Sequence, residues 1–139
     1  MKVGAQLYTI RNYGQNERDL GYALEKVAKM GYKIVQLSAL GPIEPKTIKR
    51  LCDDNGLTIA LTHNKEDKFL QGIDAMIEEH QIYNCKYVGL GAAPDRYRSA
   101  AWLDCFRRDF EPAMLKLHDA GMRMMYHNHA FEFSHVPGG

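Results

Sequence analysis

Two histidines, an asparagine and a glutamate fall within six residues of the stretch MMYHNHAFEF, positions 124–133. Side chains alternate along a strand, so His127 and His129 are predicted on one face, with Tyr126 and Asn128 on the other. At a rise of roughly 3.3 Å per residue the two imidazoles stand about 7 Å apart, near enough to share a polar pocket. Glu132 lies just beyond, where the chain can curl a carboxylate back over that pocket. This trio suits two chemistries: binding a divalent ion, or moving protons between a carbonyl and its neighbouring carbon. A histidine at a strand end is also a common hydrogen-bonded rim residue, and polar residues crowd into loops generally. Partners from elsewhere in the chain must therefore decide the matter.

A repeated plan would bring such partners together. The stretches KMGYKIVQL, DNGLTIALT, YNCKYVGLG and DAGMRMMYH each read as a helix end, a Gly or Asn suited to the left-handed C′ position, and a short buried strand. Ahead of Gly31, the apolar residues Leu20, Ala23, Leu24, Val27 and Ala28 recur at helical spacing. The pattern predicts strands over 3–9, 34–39, 58–63, 87–91 and 122–129, and helices over 19–30, 45–55, 68–83 and 100–120. Pro45 fits the first turn of the second helix, and Ser99 or Asp104 suits the start of the fourth. Strands alternating with helices require parallel neighbours joined by right-handed crossovers. The expected class is α/β: a partial TIM barrel of about five strands and four helices, with a flavodoxin-like open sheet as the alternative. A complete barrel takes about 250 residues, so 139 supply about four and a half of its eight units. No linker or low-complexity tract divides the chain, and residues 1–139 read as a single domain.

Either architecture binds ligands at the carboxyl ends of its parallel strands. Polar residues gather there: Gln6, Tyr8 and Arg11 after the first strand, Ser38 after the second, His63 and Asn64 after the third, and HNHAFE after the fifth. Tyr8 can stack on a sugar. Arg11 can grip a phosphate or carboxylate through its planar fork, or stand as a solvated loop arginine. His63 meets the same pocket or serves as a rim group. His80 and His118 read as ordinary helix-face or surface residues, and His135 sits in the tail. Trp102 pairs with Phe106 in a helical pattern and reads as core. Cys52, Cys85 and Cys105, without a C-x-x-C pattern, read as small buried hydrophobes.

Composition narrows the function classes. With 45% apolar residues, the chain suits a folded domain with its own core. Eighteen basic residues against seventeen acidic ones leave a net charge of +1, which creates no field for nucleic acid or an anionic membrane. Arg96 and Arg98 in PDRYRSAAW stand beside aromatics, yet without a second basic stripe they read as a solvated loop. GLGAAP lacks the third glycine of a dinucleotide fingerprint and the G-K-[ST] of a P-loop. The opening MKVGAQLYT is too short an apolar run for a signal peptide or a membrane span, so the expected location is cytoplasmic.

The opening VGAQLYTIR, the second-strand GYKIVQLSAL, the third-strand TIALTH and the fifth-strand YHNHAFEF together resemble the sugar phosphate isomerase/epimerase family, the xylose isomerase-like TIM barrels. The resemblance runs in order over nearly the whole chain, and Y-H-N-H-x-x-E-F is its most specific part. It implies isomerisation or epimerisation of a sugar or related polyol by proton removal next to a carbonyl. It also implies a divalent metal (Mn, Mg, Co or Zn) that holds the substrate oxygens and stabilises the enediolate. On this reading His127, His129 and Glu132 are catalytic, Glu132 is also a metal ligand, and Tyr8, Arg11, His63 and Asn128 bind substrate. Two departures qualify it. Gln36 stands where many relatives carry a glutamate, and the family's metal site draws further ligands from later strands.

The resemblance thus implies the N-terminal half of a (β/α)₈ barrel, weak or inactive by itself. Such a half has open sheet edges and an exposed apolar face, for which homo-oligomer formation is the physical remedy. Two other functions compete: a non-catalytic, polyol-binding or self-associating half-barrel module, and the related apurinic endonuclease-like branch.

Overall fold

The computed structural model describes residues 3–97 and 102–133. Within them β1 (Ala5–Gln6), β2 (Ile34–Leu37), β3 (Thr58–Asn64), β4 (Tyr87–Leu90) and β5 (Arg123–Tyr126) form one parallel sheet. Their spatial order is β1-β2-β3-β4-β5. This order separates the two expected architectures. A flavodoxin-like sheet puts its first strand inside, between the second and third, and so sends helices to both faces. Consecutive order with right-handed crossovers puts every helix on one face. Accordingly α1 (Glu17–Lys29) packs on α2 (Pro45–Asp54), α2 on α4 (Ile73–Tyr83), and α4 on α5 (Trp102–Asp119). The result is an open, singly wound sheet, a partial TIM barrel.

Local sequence explains the punctuation. Gly31, Gly56, Asn84 and Gly121, just past the ends of α1, α2, α4 and α5, all have positive φ, from 52° at Asn84 to 94° at Gly31. Pro45 occupies the first turn of α2, where its missing N–H costs no helical hydrogen bond. Asn16 caps α1 by accepting from the Asp19 N–H at 3.0 Å.

Between sheet and helices lie two apolar clusters. In one, Leu20, Leu24 and Val27 of α1 and Ile48 and Cys52 of α2 pack on Val35, Leu37 and Ile59. In the other, Met76 of α4 and Phe110, Ala113 and Leu117 of α5 pack on Val88 and Leu90. Each large side chain so buried contributes roughly 1.5–3 kcal/mol relative to exposure. Cys52 and Cys85 are buried in the first cluster, whereas Cys105 is only partly so. Burial pushes the Cys52 thiol up to about 12, which keeps it protonated.

Several elements differ from the sequence reading. The first strand is two residues rather than seven, because the chain turns into a 3₁₀ segment, Leu7–Tyr13, that drives Leu7 into the core at 1% exposure. The predicted helix over 68–83 is two helices, α3 (Glu66–Leu70) and α4, broken at Gly72, where glycine is a poor helix former. There are accordingly five α-helices among the described residues, not four. The fifth strand ends at Tyr126, three residues early. Ser99, Arg98, His135 and the expected start of the last helix at Ala100 lie outside the described residues. No helix among the described residues is long and apolar enough to cross a membrane.

Candidate functional site

A cleft of about 940 Å³ opens at the carboxyl ends of the strands. Gln6, Tyr8, Ser38, His63, Asn64, His127 and His129 line it, each from the end of a strand or the loop that follows. The sequence named all of them as strand-end groups, but the face each one takes is a tertiary matter.

His63 shows why. Strict alternation in TIALTH would put His63 on the same face as Ile59, which is buried against the helices. Instead, β2 and β3 shift register: Val35 pairs with Ile59, but Gln36 pairs with Leu61. Ala60 is the extra residue of a β-bulge, and it reverses the facing of everything after it. Thr62 is thereby buried toward α4, and His63 turns into the cleft. Gly89, its partner on β4, leaves the room: a Cβ there would come within 3.1 Å of His63 Cδ2.

On β5 the order is simpler. Met124 and Tyr126 pack on the helix side, Tyr126 edge-on to Phe106 with ring centroids 5.6 Å apart. His127 follows with the opposite facing, its N–H still donating to the Leu90 carbonyl at 3.1 Å. Its ring meets His63 edge-on at a centroid distance of 4.7 Å, and meets His129 at 4.8 Å. Three imidazoles thus stand in a row along the cleft wall. Ser38 Oγ lies 3.5 Å from His63 Nδ1 at the end of that row. Burial, followed by the charges His127 and His129 would carry, holds the His63 pKa below its ordinary value. His63 is therefore neutral at neutral pH, with one ring nitrogen available as a proton acceptor.

The remaining expected site residues lie elsewhere. Glu132 curls back on a 3₁₀ turn, Ala130–Phe133, but its carboxylate accepts from the Tyr126 hydroxyl and, at 2.7 Å, from the His129 N–H. Burial raises its pKa, and these hydrogen bonds outweigh that and hold the group lower than usual. Glu132 thus closes the loop carrying His129 and does not line the cleft. Arg11 donates to the Tyr8 carbonyl at 3.0 Å and lies 4.4 Å over the Tyr8 ring, so it backs Tyr8 and does not line the cleft. Asn128 is exposed and also off the cleft. Among the described residues no group of three or more His, Cys, Asp and Glu side chains is arranged to hold a metal ion. The donors among the described residues thus do not fit the implied metal.

Two features escaped the sequence reading. Lys65, Glu66, Asp67 and Lys68, on the loop after β3 and α3, form part of the cleft wall. Glu66 pairs with Arg96, which ties this loop to the one after β4. His80, read as a helix-face or surface residue, is 0% exposed. The spacing of Met76, His80 and Tyr83 on α4 marks a buried stripe that could have revealed it.

Comparison with known structures agrees with the fold. The chain superimposes on a sugar phosphate isomerase/epimerase from Parabacteroides distasonis with a TM-score of 0.79 at 21% identity, covering 97% of this chain and 57% of that one. The fold is that of the sugar phosphate isomerase/epimerase barrels. A second protein of that description from the same organism gives a TM-score of 0.74 at 25% identity, over 97% and 54% of the two chains. A family 2 AP endonuclease from Brucella melitensis shares the fold at a TM-score of 0.63 and 17% identity, over 91% and 55%. The chain spans little more than half the length of each of these structures. No family model matches the sequence, nor does any curated protein.

Proposed function

We propose that this chain carries one wall of a sugar or sugar-phosphate isomerase/epimerase site, in which an imidazole moves a proton next to a carbonyl. The observation that carries the reading is the row of His63, His127 and His129 along a cleft at the carboxyl ends of parallel strands. Neutral imidazole removes a C–H proton beside the carbonyl, and the electron pair forms the C=C of an enediolate as charge moves onto oxygen. Returning the proton to the adjacent carbon, while the hydroxyl proton passes from one enediolate oxygen to the other, isomerises the sugar, and returning it to the opposite face of the original carbon epimerises it. A second imidazole in contact with the first can receive or supply the proton between these steps. Tyr8, half exposed at the cleft, offers a ring face to the sugar.

The test is exchange of the C–H next to the carbonyl with D₂O, followed by proton NMR. Ketoses and aldoses, free and phosphorylated, are incubated with the chain, with and without Mn²⁺, Mg²⁺, Co²⁺ or Zn²⁺. Exchange above background is expected, with a loss of about 100-fold or more in His127→Ala, the usual weight of a general base. Equal exchange in wild type and in the His127→Ala and His63→Ala variants would refute the reading.

A second reading is a self-associating half-barrel module, favoured by one observation. On the sheet face away from the helices Tyr87 and Met125 are 47% and 42% exposed, and β1 and β5 end the sheet order. A second copy laid against this face would cover them. The AP endonuclease likeness is one of fold, and a net charge of +1 lends no support to a DNA substrate.

A further inference from the structure

His80 is a buried imidazole that the proton chemistry above leaves unused, and its surroundings assign each proton along a short relay. Its Nδ1 lies 2.7 Å from the Met76 carbonyl oxygen, and its Nε2 lies 2.7 Å from Thr62 Oγ1. A carbonyl oxygen only accepts, so Nδ1 carries a proton and donates it. In the neutral ring Nε2 then only accepts, and the Thr62 hydroxyl proton must go to it. Thr62 Oγ1 is left as an acceptor, so the Asn64 atom 2.7 Å away is the amide nitrogen. The Gly89 carbonyl oxygen, 3.4 Å from the same atom, independently requires a donor there. A charged ring would instead put a second donor on Thr62 Oγ1, whose own proton would then need another acceptor. Burial opposes the charge as well, pushing the His80 pKa down.

With its nitrogen held on Thr62 and Gly89, Asn64 has only Oδ1 left for the cleft it lines, and no described residue donates to that oxygen. We propose that Asn64 Oδ1 accepts a hydrogen bond from a hydroxyl of the bound sugar or polyol, and that Thr62 and His80 are positioning residues that fix this orientation. The inference deepens the sugar reading and rests on it. It adds a selectivity: a fixed acceptor takes a hydroxyl and repels a phosphate or keto oxygen at the same place. The phosphate of a phosphorylated sugar therefore lies away from Asn64.

The experiment is NMR on the ¹⁵N-labelled full chain, titrated with D-fructose and with D-fructose 6-phosphate. His80 is expected as the neutral Nδ1–H tautomer, and the Asn64 amide signals are expected to move with those of His63 and His127 as sugar is added. Thr62→Val keeps the shape and removes the hydroxyl, so sugar binding should weaken about tenfold, as for one lost hydrogen bond. Thr62→Ser should restore it, and Asn64→Ala should lose as much as Thr62→Val. If Thr62→Val fails to fold, Asn64→Ala and Thr62→Ser carry the comparison. The inference is overturned by an Nε2–H tautomer, by unmoved Asn64 signals while His63 and His127 respond, or by wild-type affinity in Asn64→Ala. If sugar moves none of the three residues, the sugar reading fails and the ligand role of Asn64 fails with it. The His80 tautomer still decides the relay separately.

Discussion

Substituting Gly89 by alanine isolates what makes room for the imidazole row. Gly89 lies opposite His63 in the β3–β4 pairing. A Cβ at Gly89 would come under 3.0 Å from the Thr62 carbonyl oxygen and 3.1 Å from His63 Cδ2. The first contact is with backbone inside a central strand pair, so relief requires the two strands to separate. Overpacking of this kind costs about 1–3 kcal/mol, and a backbone clash belongs at the upper end. With a urea m-value of about 2 kcal/mol/M, a loss of 2–3 kcal/mol lowers the unfolding midpoint by about 1–1.5 M. The His63 ring should also leave His127, visible as changed ring signals of both residues by NMR. Two neighbouring tests set the scale. Alanine at Gly91 meets the His63 Cβ at 3.3 Å, a milder approach to a side chain, and should cost less than Gly89→Ala. Alanine at Gly21, inside α1, meets Leu51 Cδ2 at an ordinary 3.5 Å and should stabilise by up to about 1 kcal/mol through helix propensity. A Gly89→Ala midpoint within about 0.3 M of wild type, less than a third of the smallest expected shift, would refute the packing argument.

Two further outcomes follow from the same structure. His63 and His80 both have folded-state pKa values below the ordinary imidazole value of 6.5, with burial the largest cause for each. The unfolded chain therefore binds more protons between the two values, so stability is fully present above about 6.5 and declines as pH falls below it. Urea midpoints measured from pH 8 to pH 5 should show this decline, and His63→Asn should flatten it; a flat wild-type profile would contradict the assignment. If a second copy covers the exposed sheet face, light scattering should give twice the 15.9 kDa chain mass, and Met125→Asp should return it to one. A monomer at high concentration would remove the self-associating reading.

Much of the fold was legible because its signals are local. Four helix ends, each with a Gly or Asn that tolerates positive φ, announced four strands before any contact was known. The apolar stripe of α1 and the proline at the start of α2 speak through neighbours three or four residues away. The strand-end polar groups could likewise be named in advance, because α/β sheets bind ligands at that end. His80 reads as a helix-face or surface residue because histidine is polar, whereas its place in the apolar stripe of α4 buries it. Gly72 breaks the helix expected over 68–83, but a single glycine costs a helix only about 1 kcal/mol and so marks no certain end in the sequence.

The sequence by itself therefore determined the element types, the parallel pairing and the end of the sheet where a site must lie. Tertiary structure decided the strand order, which separates a barrel winding from a flavodoxin-like one, since both are built from the same alternating units. It also decided which strand-end groups meet. A bulge at Ala60 turns His63 toward His127, and Gly89 leaves space for the pair. Glu132, close to His129 in sequence, instead spends its carboxylate on Tyr126 and a backbone N–H. Register and close approach depend on residues far apart in the chain, and no local periodicity encodes them.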